Sequence, residues 1–298
     1  MSSVRSYLSL IKFSHTIFAM PFALIGFFLG LSTVAVVYPY PTNLYDWQYI
    51  AVKLFLVLLC MIFARSAAMA FNRYLDRHFD ALNPRTTIRE IPSGIISANS
   101  ALVFTVISSF LFILTCYFIN TICFILSPVA LLIVLGYSYT KRFTALCHLI
   151  LGLGLSLAPI GAYLAVTGQF SLLPILFSFA VIFWVSGFDI IYALQDEDFD
   201  KAHKLYSIPA WLGKEKALKV SEMLHLLSAL CVIGAGMLGH FQWLYWIGVA
   251  IFIGMLIYQH SIVSATNLQR VNLAFMTSNG IASVVFAAFV IADLITHY

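Results

Sequence analysis

Two acidic stretches carry residue types and spacings that could do chemistry. The first is Asn72-Arg-Tyr-Leu-Asp76-Arg-His-Phe-Asp80; the second is Asp189-Ile-Ile-Tyr192-Ala-Leu-Gln-Asp196-Glu-Asp-Phe-Asp200. An α-helix turns about 100° per residue, so the four-and-four spacing of Asn72, Asp76 and Asp80 keeps them on one face. Asp189, Tyr192, Asp196 and Asp200 are spaced three, four and four, which holds them within roughly 80° of one another on a continuous helix. Carboxylates crowded on one face repel, so something cationic belongs between them. Hard oxygen donors suit Mg²⁺, which takes one or two carboxylates and completes its shell with phosphate oxygens and water. Nothing in the pattern suits zinc or copper, since the histidines are few and unpaired with cysteine. Asp76, Asp80, Asp196 and Asp200 are therefore the expected metal ligands, with Asn72 and Asp189 a turn or two deeper. Two such stripes can hold more than one ion and so clamp a diphosphate as a leaving group. Glu197 and Asp198 point off the stripe and read as ordinary surface charges.

Basic residues complete this picture. Lys141 and Arg142 follow an apolar run one turn after Tyr137, and Arg65 lies seven residues before Asn72 on the same helix face. An arginine inside a membrane helix marks a functional site by default, and its expected partner is an anion: a diphosphate, a substrate carboxylate, or an aspartate in a structural pair. Lys53, at the far end of that helix, is expected to snorkel. His15, His148, His225, His240 and His260 form no evident constellation and read as packed or interfacial. A diphosphate leaving group at the edge of an apolar bundle implies a lipidic substrate. An allylic prenyl diphosphate fits: it ionises once its diphosphate is neutralised, and its cation attacks an electron-rich ring if water is excluded. The many aromatic rings could shelter that cation.

The elements that must position these residues are membrane helices. The chain has 298 residues, 62% hydrophobic and only 9% charged, far below the quarter charged of a soluble domain. The net charge of +4 is no sign of nucleic-acid binding, because the lysines and arginines gather in short loops as the positive-inside rule requires. Spanning helices of about 20 apolar residues are predicted at 15–37, 47–70, 99–118, 121–139, 147–167, 171–189, 217–239, 242–262 and 275–296. The expected fold is all-α: one polytopic bundle of nine transmembrane helices, spanning residues 1–298. The first run is longer than a signal-peptide core and has no small-x-small cleavage site. Pro21, Pro128 and Pro159 are expected to kink helices. Gly152, Gly154 and Gly161 are expected to allow close packing. Basic residues fall in alternate loops (Arg5 and Lys12; Arg73 to Arg89; Lys141 and Arg142; Lys201 to Lys219; Arg270). That predicts a cytoplasmic N-terminus and a C-terminus outside. All but Asp46 and Asp293 of the twelve acidic residues then share the cytoplasmic side. The two acidic stretches repeat after four helices, which suggests two four-helix units plus a ninth helix. The five cysteines show no metal-ligand spacing.

Asn72-x-x-x-Asp76-x-x-x-Asp80 and Asp189-x-x-Tyr192-x-x-x-Asp196-x-x-x-Asp200 resemble the two signature motifs of the UbiA superfamily of intramembrane prenyltransferases. The resemblance extends to Tyr137-Ser-Tyr-Thr-Lys141-Arg142-Phe-Thr and to Arg89-Glu-Ile-Pro92-Ser-Gly94. It implies a central cavity, Mg²⁺ dependence, and transfer of a prenyl group to an aromatic or other acceptor in a bacterial plasma membrane. It implies that Asp76, Asp80, Asp196 and Asp200 hold Mg²⁺-diphosphate, that Asn72, Asp189 and Tyr192 line the site, that Lys141 contacts diphosphate, and that Arg65 stands near the acceptor end. The branch looks like the 4-hydroxybenzoate polyprenyltransferases. His15-Thr-Ile-Phe-Ala-Met-Pro-Phe-Ala, Ala81-Leu-Asn-Pro-Arg-Thr and Gln195-Asp-Glu-Asp-Phe-Asp are similar to a sister group of the futalosine route to menaquinone, whose acceptor is a dihydroxynaphthoate. The expected partners are a polyprenyl diphosphate, a small aromatic acceptor and the bilayer, with no protein partner indicated. The expected catalytic residues are Asp76, Asp196 and Asp189, the last a candidate proton acceptor. Rival readings are a superfamily member acting on haem, chlorophyll or a lipid, and a cation-coupled transporter, whose acids would lie near the bilayer midplane.

Overall fold

A computed structural model of the chain describes residues 3–11, 18–37 and 47–297. Lys12, His15 and Asp46, and the expectations attached to them, lie outside the described residues. The described chain is built of helices: α1 Ser3–Leu10, α2 Met20–Val37, α3 Trp47–Leu82, α4 Ala98–Ile119, α5 Thr121–Thr140, α6 Cys147–Thr167, α7 Leu172–Ala193, α8 Glu197–Ala202, α9 Ile208–Leu212, α10 Lys214–Leu238, α11 Trp243–Ile262 and α12 Asn279–His297. A helix stands at each of the nine predicted apolar segments. Among the described residues eight stretches are long and apolar enough to span a bilayer, and the α2 segment is a shorter apolar helix. The protein is thus an all-helical, multi-span membrane bundle.

Local chemistry sets the helix boundaries. Only Asn120 separates α4 from α5. It sits in extended backbone at φ −170°, accepts the Cys123 N–H at 2.9 Å, and donates to the Leu164 carbonyl at 2.8 Å. One side chain thus caps α5 and ties it to α6. Gly168, at φ 66°, ends α6 in the left-handed conformation that favours glycine. Asp293, fully buried in α12, accepts the Gln242 N–H at 2.9 Å and the Tyr245 N–H at 3.2 Å. It is therefore a cap for the start of α11. Lys53 does not snorkel freely; its ammonium donates to the Ile119 carbonyl at the end of α4. Pro128 stands inside α5 and Pro159 inside α6. Pro21 does not: it occupies the first turn of α2, where no N–H is needed.

The main core lies among α2, α6, α7, α10, α11 and α12, around the buried rings of Phe22, Phe177, Trp184, Tyr245, Phe252 and Phe286. A polar pin crosses it: Asn279 Oδ1 accepts from Trp184 Nε1 at 2.9 Å and from Gln259 Nε2 at 2.7 Å. A π-helical turn, Leu273–Ser278, precedes α12 and carries Phe275 to within 4.3 Å of the Tyr192 ring. Helix α3 packs on α4 and α5 on the other side of the molecule.

Close helix approach rests on particular glycines. A Cβ on Gly26 would overlap the Pro159 carbonyl, so α2 and α6 meet backbone to backbone there, and Gly152 meets Ile182 of α7 in the same way. Gly154 makes only ordinary contacts, and nothing lies within 4 Å of a Cβ at Gly161, so those two glycines are not needed for packing. Gly26→Ala should cost about 1–3 kcal/mol or more through overpacking and lower the melting temperature in detergent. Gly161→Ala should leave it unchanged.

Candidate active site

A cavity of about 800 Å³ is lined by residues of α3, α4, α5, α6 and α7. Every residue expected in the site borders it: Arg65, Asn72, Asp76, Asp80, Tyr137, Lys141, Arg142, Asp189, Tyr192, Asp196 and Asp200. The reason lies in two helices. The 36 residues of α3 run about 54 Å, against roughly 30 Å of hydrocarbon. Its last turns, with the first acidic stripe, therefore continue to the membrane edge. The second stripe does not ride one continuous α-helix, contrary to expectation. Helix α7 stops at Ala193, a 3₁₀ turn covers Leu194–Asp196, and α8 begins at Glu197. The tighter turn advances the later residues round the axis, and Asp189, Tyr192, Asp196 and Asp200 still all face the cavity.

Each of the four outer aspartates is held by its own cation. Asp76 Oδ1 lies 3.1 Å from Arg142 Nη2, and its Oδ2 accepts from Asn72 Nδ2 at 3.0 Å. Asp80 Oδ1 lies 2.6 Å from Arg89 Nη1. Asp196 takes both Nε and Nη2 of Arg85, the fork geometry of a strong charge-assisted pair. Asn83 adds a donor to Asp196 at 3.3 Å. Asp200, with a side chain 0% exposed, lies 2.8 Å from Lys141 Nζ and accepts from Ser207 Oγ at 2.8 Å. The Arg85 guanidinium also stacks over the Tyr192 ring at 4.9 Å. Burial disfavours the Lys141 ammonium, but Asp200 beside it and Asp196 beyond more than compensate and hold it above its ordinary pKa. Lys141 is therefore a permanent cation at neutral pH.

Arg85, Arg89 and Asn83 border the cavity too, although the sequence reading gave none of them a role in the site. They come from the polar segment after α3, which is folded back by the Thr86 Oγ bond to the Asp80 carbonyl at 3.0 Å. Four aspartates facing one cavity need four cations, and Arg85 and Arg89 stand just beyond the first acidic stretch; that charge count was the signal available. His148 is another. It is 3% exposed, and its Nδ1 lies 2.7 Å from Asp189 Oδ2. The expectation that the histidines form no constellation is thus corrected twice, because His225 and His260 also pair, at 2.9 Å, between α10 and α11. Glu197 is not a surface charge either; it is buried and paired with Lys201 and Lys214.

No three His, Cys, Asp or Glu side chains converge as a ready-made metal cluster among the described residues. Mg²⁺ needs none, since it keeps water and phosphate oxygens beside one or two carboxylates. The donor set fits it: Asp76 and Asp80 from α3, Asp196 and Asp200 from the α7–α8 segment. Asp80 Oδ2 is buried without a hydrogen-bond partner.

The chain is similar to known proteins over most of its length. The model of the UbiA prenyltransferase family matches residues 19–281. A 4-hydroxybenzoate octaprenyltransferase of Aliivibrio fischeri (strain MJ11) is 30% identical over 249 residues, 82% of this chain and 83% of that protein. The apo structure of a UbiA homolog from Aeropyrum pernix K1 matches with a TM-score of 0.77 and 30% identity, over 95% of this chain and 97% of that one. A UbiA homolog from Archaeoglobus fulgidus bound to DMAPP and Mg²⁺ matches with a TM-score of 0.74 over 98% of this chain and 100% of that one, at 21% identity. That last likeness is one of fold.

Because every outer carboxylate is already neutralised, Mg²⁺ alone should bind weakly. Inorganic diphosphate, which can draw the four bases away, should tighten Mg²⁺ binding by about 5- to 150-fold. Calorimetric titration of Mg²⁺ with and without diphosphate measures this directly.

Proposed function

Since the chain belongs to the UbiA prenyltransferase family and is an enzyme of that kind, we propose that it transfers a polyprenyl group from its diphosphate to a ring carbon of a hydroxylated aromatic carboxylate. The acceptor is 4-hydroxybenzoate or 1,4-dihydroxy-6-naphthoate, and the setting is quinone synthesis in a bacterial plasma membrane, with the charged loops on the cytoplasmic side. The observation that carries this reading is four aspartate–base pairs at one end of an apolar cavity. The name of the Aliivibrio fischeri relative supports the benzoate, and the Archaeoglobus fulgidus complex supports a prenyl diphosphate with Mg²⁺.

Asp76, Asp80, Asp196 and Asp200 would hold Mg²⁺, which when bound supplies charge neutralisation to the diphosphate and makes it a better leaving group. Arg85, Arg89, Lys141 and Arg142 are the bases in reach of the diphosphate oxygens, and Asn72 holds Asp76 in place. The prenyl tail lies along apolar wall residues such as Val57, Met61, Phe112, Ile119 and Leu155, which keep water from the allylic cation. Tyr192, Phe275, Phe188 and Phe18 form a run of touching rings beside the site and can shield that cation by their π-faces. Arg65, about 10 Å along α3 from Asn72, is the partner for the acceptor carboxylate, with Tyr137 bordering the same space. The acceptor's phenol oxygen feeds electrons to the ring carbon beside it. That carbon bonds the allylic carbon, the bond to diphosphate oxygen breaks, and Asp189 takes the displaced ring proton.

Membranes containing the protein, given polyprenyl diphosphate, Mg²⁺ and each acceptor in parallel, test the proposal. Prenylated product should form with one acceptor, and Asp76→Ala or Asp196→Ala should cut it by about 100-fold or more, as loss of a preorganised charge-stabilising group does. Unchanged Mg²⁺-dependent transfer in both variants would refute it.

A further inference from the structure

Asp189 differs from the other four motif aspartates in its partner. Each of those pairs with an arginine or lysine; Asp189 pairs with a histidine. His148 opens α6 and faces α7, and both of its ring nitrogens are committed. Nδ1 lies 2.7 Å from Asp189 Oδ2, and Nε2 lies 3.3 Å from the backbone nitrogen of Ile208. The Ile208 N–H can only donate, so Nε2 must accept, and the ring proton sits on Nδ1 and is donated to Asp189. The pair is locked from behind. Ser186 Oγ donates to the His148 carbonyl at 3.0 Å, and the Gly152–Ile182 approach fixes α6 against α7. Ser207, the residue before Ile208, also bonds Asp200, so one short segment sets both the histidine and an outer carboxylate.

Exposure separates the two partners. The His148 side chain is 3% exposed, whereas that of Asp189 is 24% exposed and borders the cavity. We propose that His148 is a positioning residue: it fixes the Asp189 carboxylate in the orientation that accepts the ring proton after carbon–carbon bond formation. This rests on the prenyl transfer proposed above. In the step, the acceptor carbon carries both its hydrogen and the new prenyl carbon. The C–H electron pair returns to the ring, and the proton passes to the Asp189 carboxylate, which releases it to water as product leaves. His148 does not take the proton itself, because its only lone pair is held by Ile208. A neutral donor at Nδ1 leaves the carboxylate a base, where an arginine would make it a poor one.

The test uses two polar replacements of His148 in the full-length protein. His148→Asn places an amide N–H near Nδ1 and keeps the bond to Asp189; His148→Gln reaches the Nε2 position and loses it. Each is assayed for transfer, for Mg²⁺-diphosphate binding, and for the kinetic isotope effect with acceptor deuterated at the reacting ring carbon. His148→Gln should lose about 10- to 100-fold in turnover, as loss of an orienting partner typically costs. Its isotope effect should exceed that of the wild type, its diphosphate binding should be unchanged, and His148→Asn should recover most of the turnover. An unchanged isotope effect in His148→Gln overturns the proposal, as does equal loss of diphosphate binding and transfer in both variants, which marks a purely structural histidine. If the wild type binds Mg²⁺-diphosphate but prenylates neither aromatic acceptor, the parent reading fails and the role of His148 with it.

Discussion

Four carboxylates facing one cavity at a membrane edge cannot stand uncompensated. Two unit charges 4 Å apart interact by about 4 kcal/mol at an effective dielectric of 20, and a buried charge left unpaired destabilises by several kcal/mol. The protein answers with one base for each aspartate: Arg142 for Asp76, Arg89 for Asp80, Arg85 for Asp196 and Lys141 for Asp200. The same constraint makes the site responsive. A diphosphate offers the bases a denser anion than any carboxylate, and a divalent cation offers the carboxylates a denser positive charge than any guanidinium. Exchange of partners then leaves every charge in the site beside an opposite one in both states.

The fold arranges that exchange by placing the two acidic stripes and the bases on separate elements. Asp76 and Asp80 ride the end of α3, Arg85 and Arg89 the segment that folds back after it, Lys141 and Arg142 the end of α5, and Asp196 and Asp200 the break between α7 and α8. Apart from Asp80 and Arg89, nine residues apart in one stretch, every pair ties together distant parts of the chain. The ion pairs therefore also close the polar end of a bundle whose main core lies elsewhere, among α2, α6, α7 and α10–α12.

Much of this was legible in the sequence because it is periodic. Apolar runs of membrane length marked the helices, and the four-residue spacing of the aspartates survived folding as a shared cavity wall. What was not legible depends on tertiary placement. Arg85 and Arg89 read as loop charges until the loop folds back on Asp80. The 3₁₀ turn at Leu194–Asp196 leaves no mark in spacing. His148 sits in an apolar run with no periodic partner, and only the meeting of α6 with α7 and α9 makes it a neighbour of Asp189. Asp293 had no role assigned and Lys53 was expected to snorkel, because nothing local showed that each meets the end of another helix. The residues of the transporter alternative were the same acids, but they lie toward the ends of α3 and α7, away from the middle of the apolar spans.

The most direct measurement is an experimental structure of the protein with Mg²⁺ and an unreactive prenyl thiodiphosphate. Partner exchange predicts that Arg85, Arg89, Lys141 and Arg142 turn to the diphosphate oxygens, while Asp76, Asp80, Asp196 and Asp200 turn to the metal. Four intact aspartate–base pairs, with the diphosphate bound elsewhere, would contradict it.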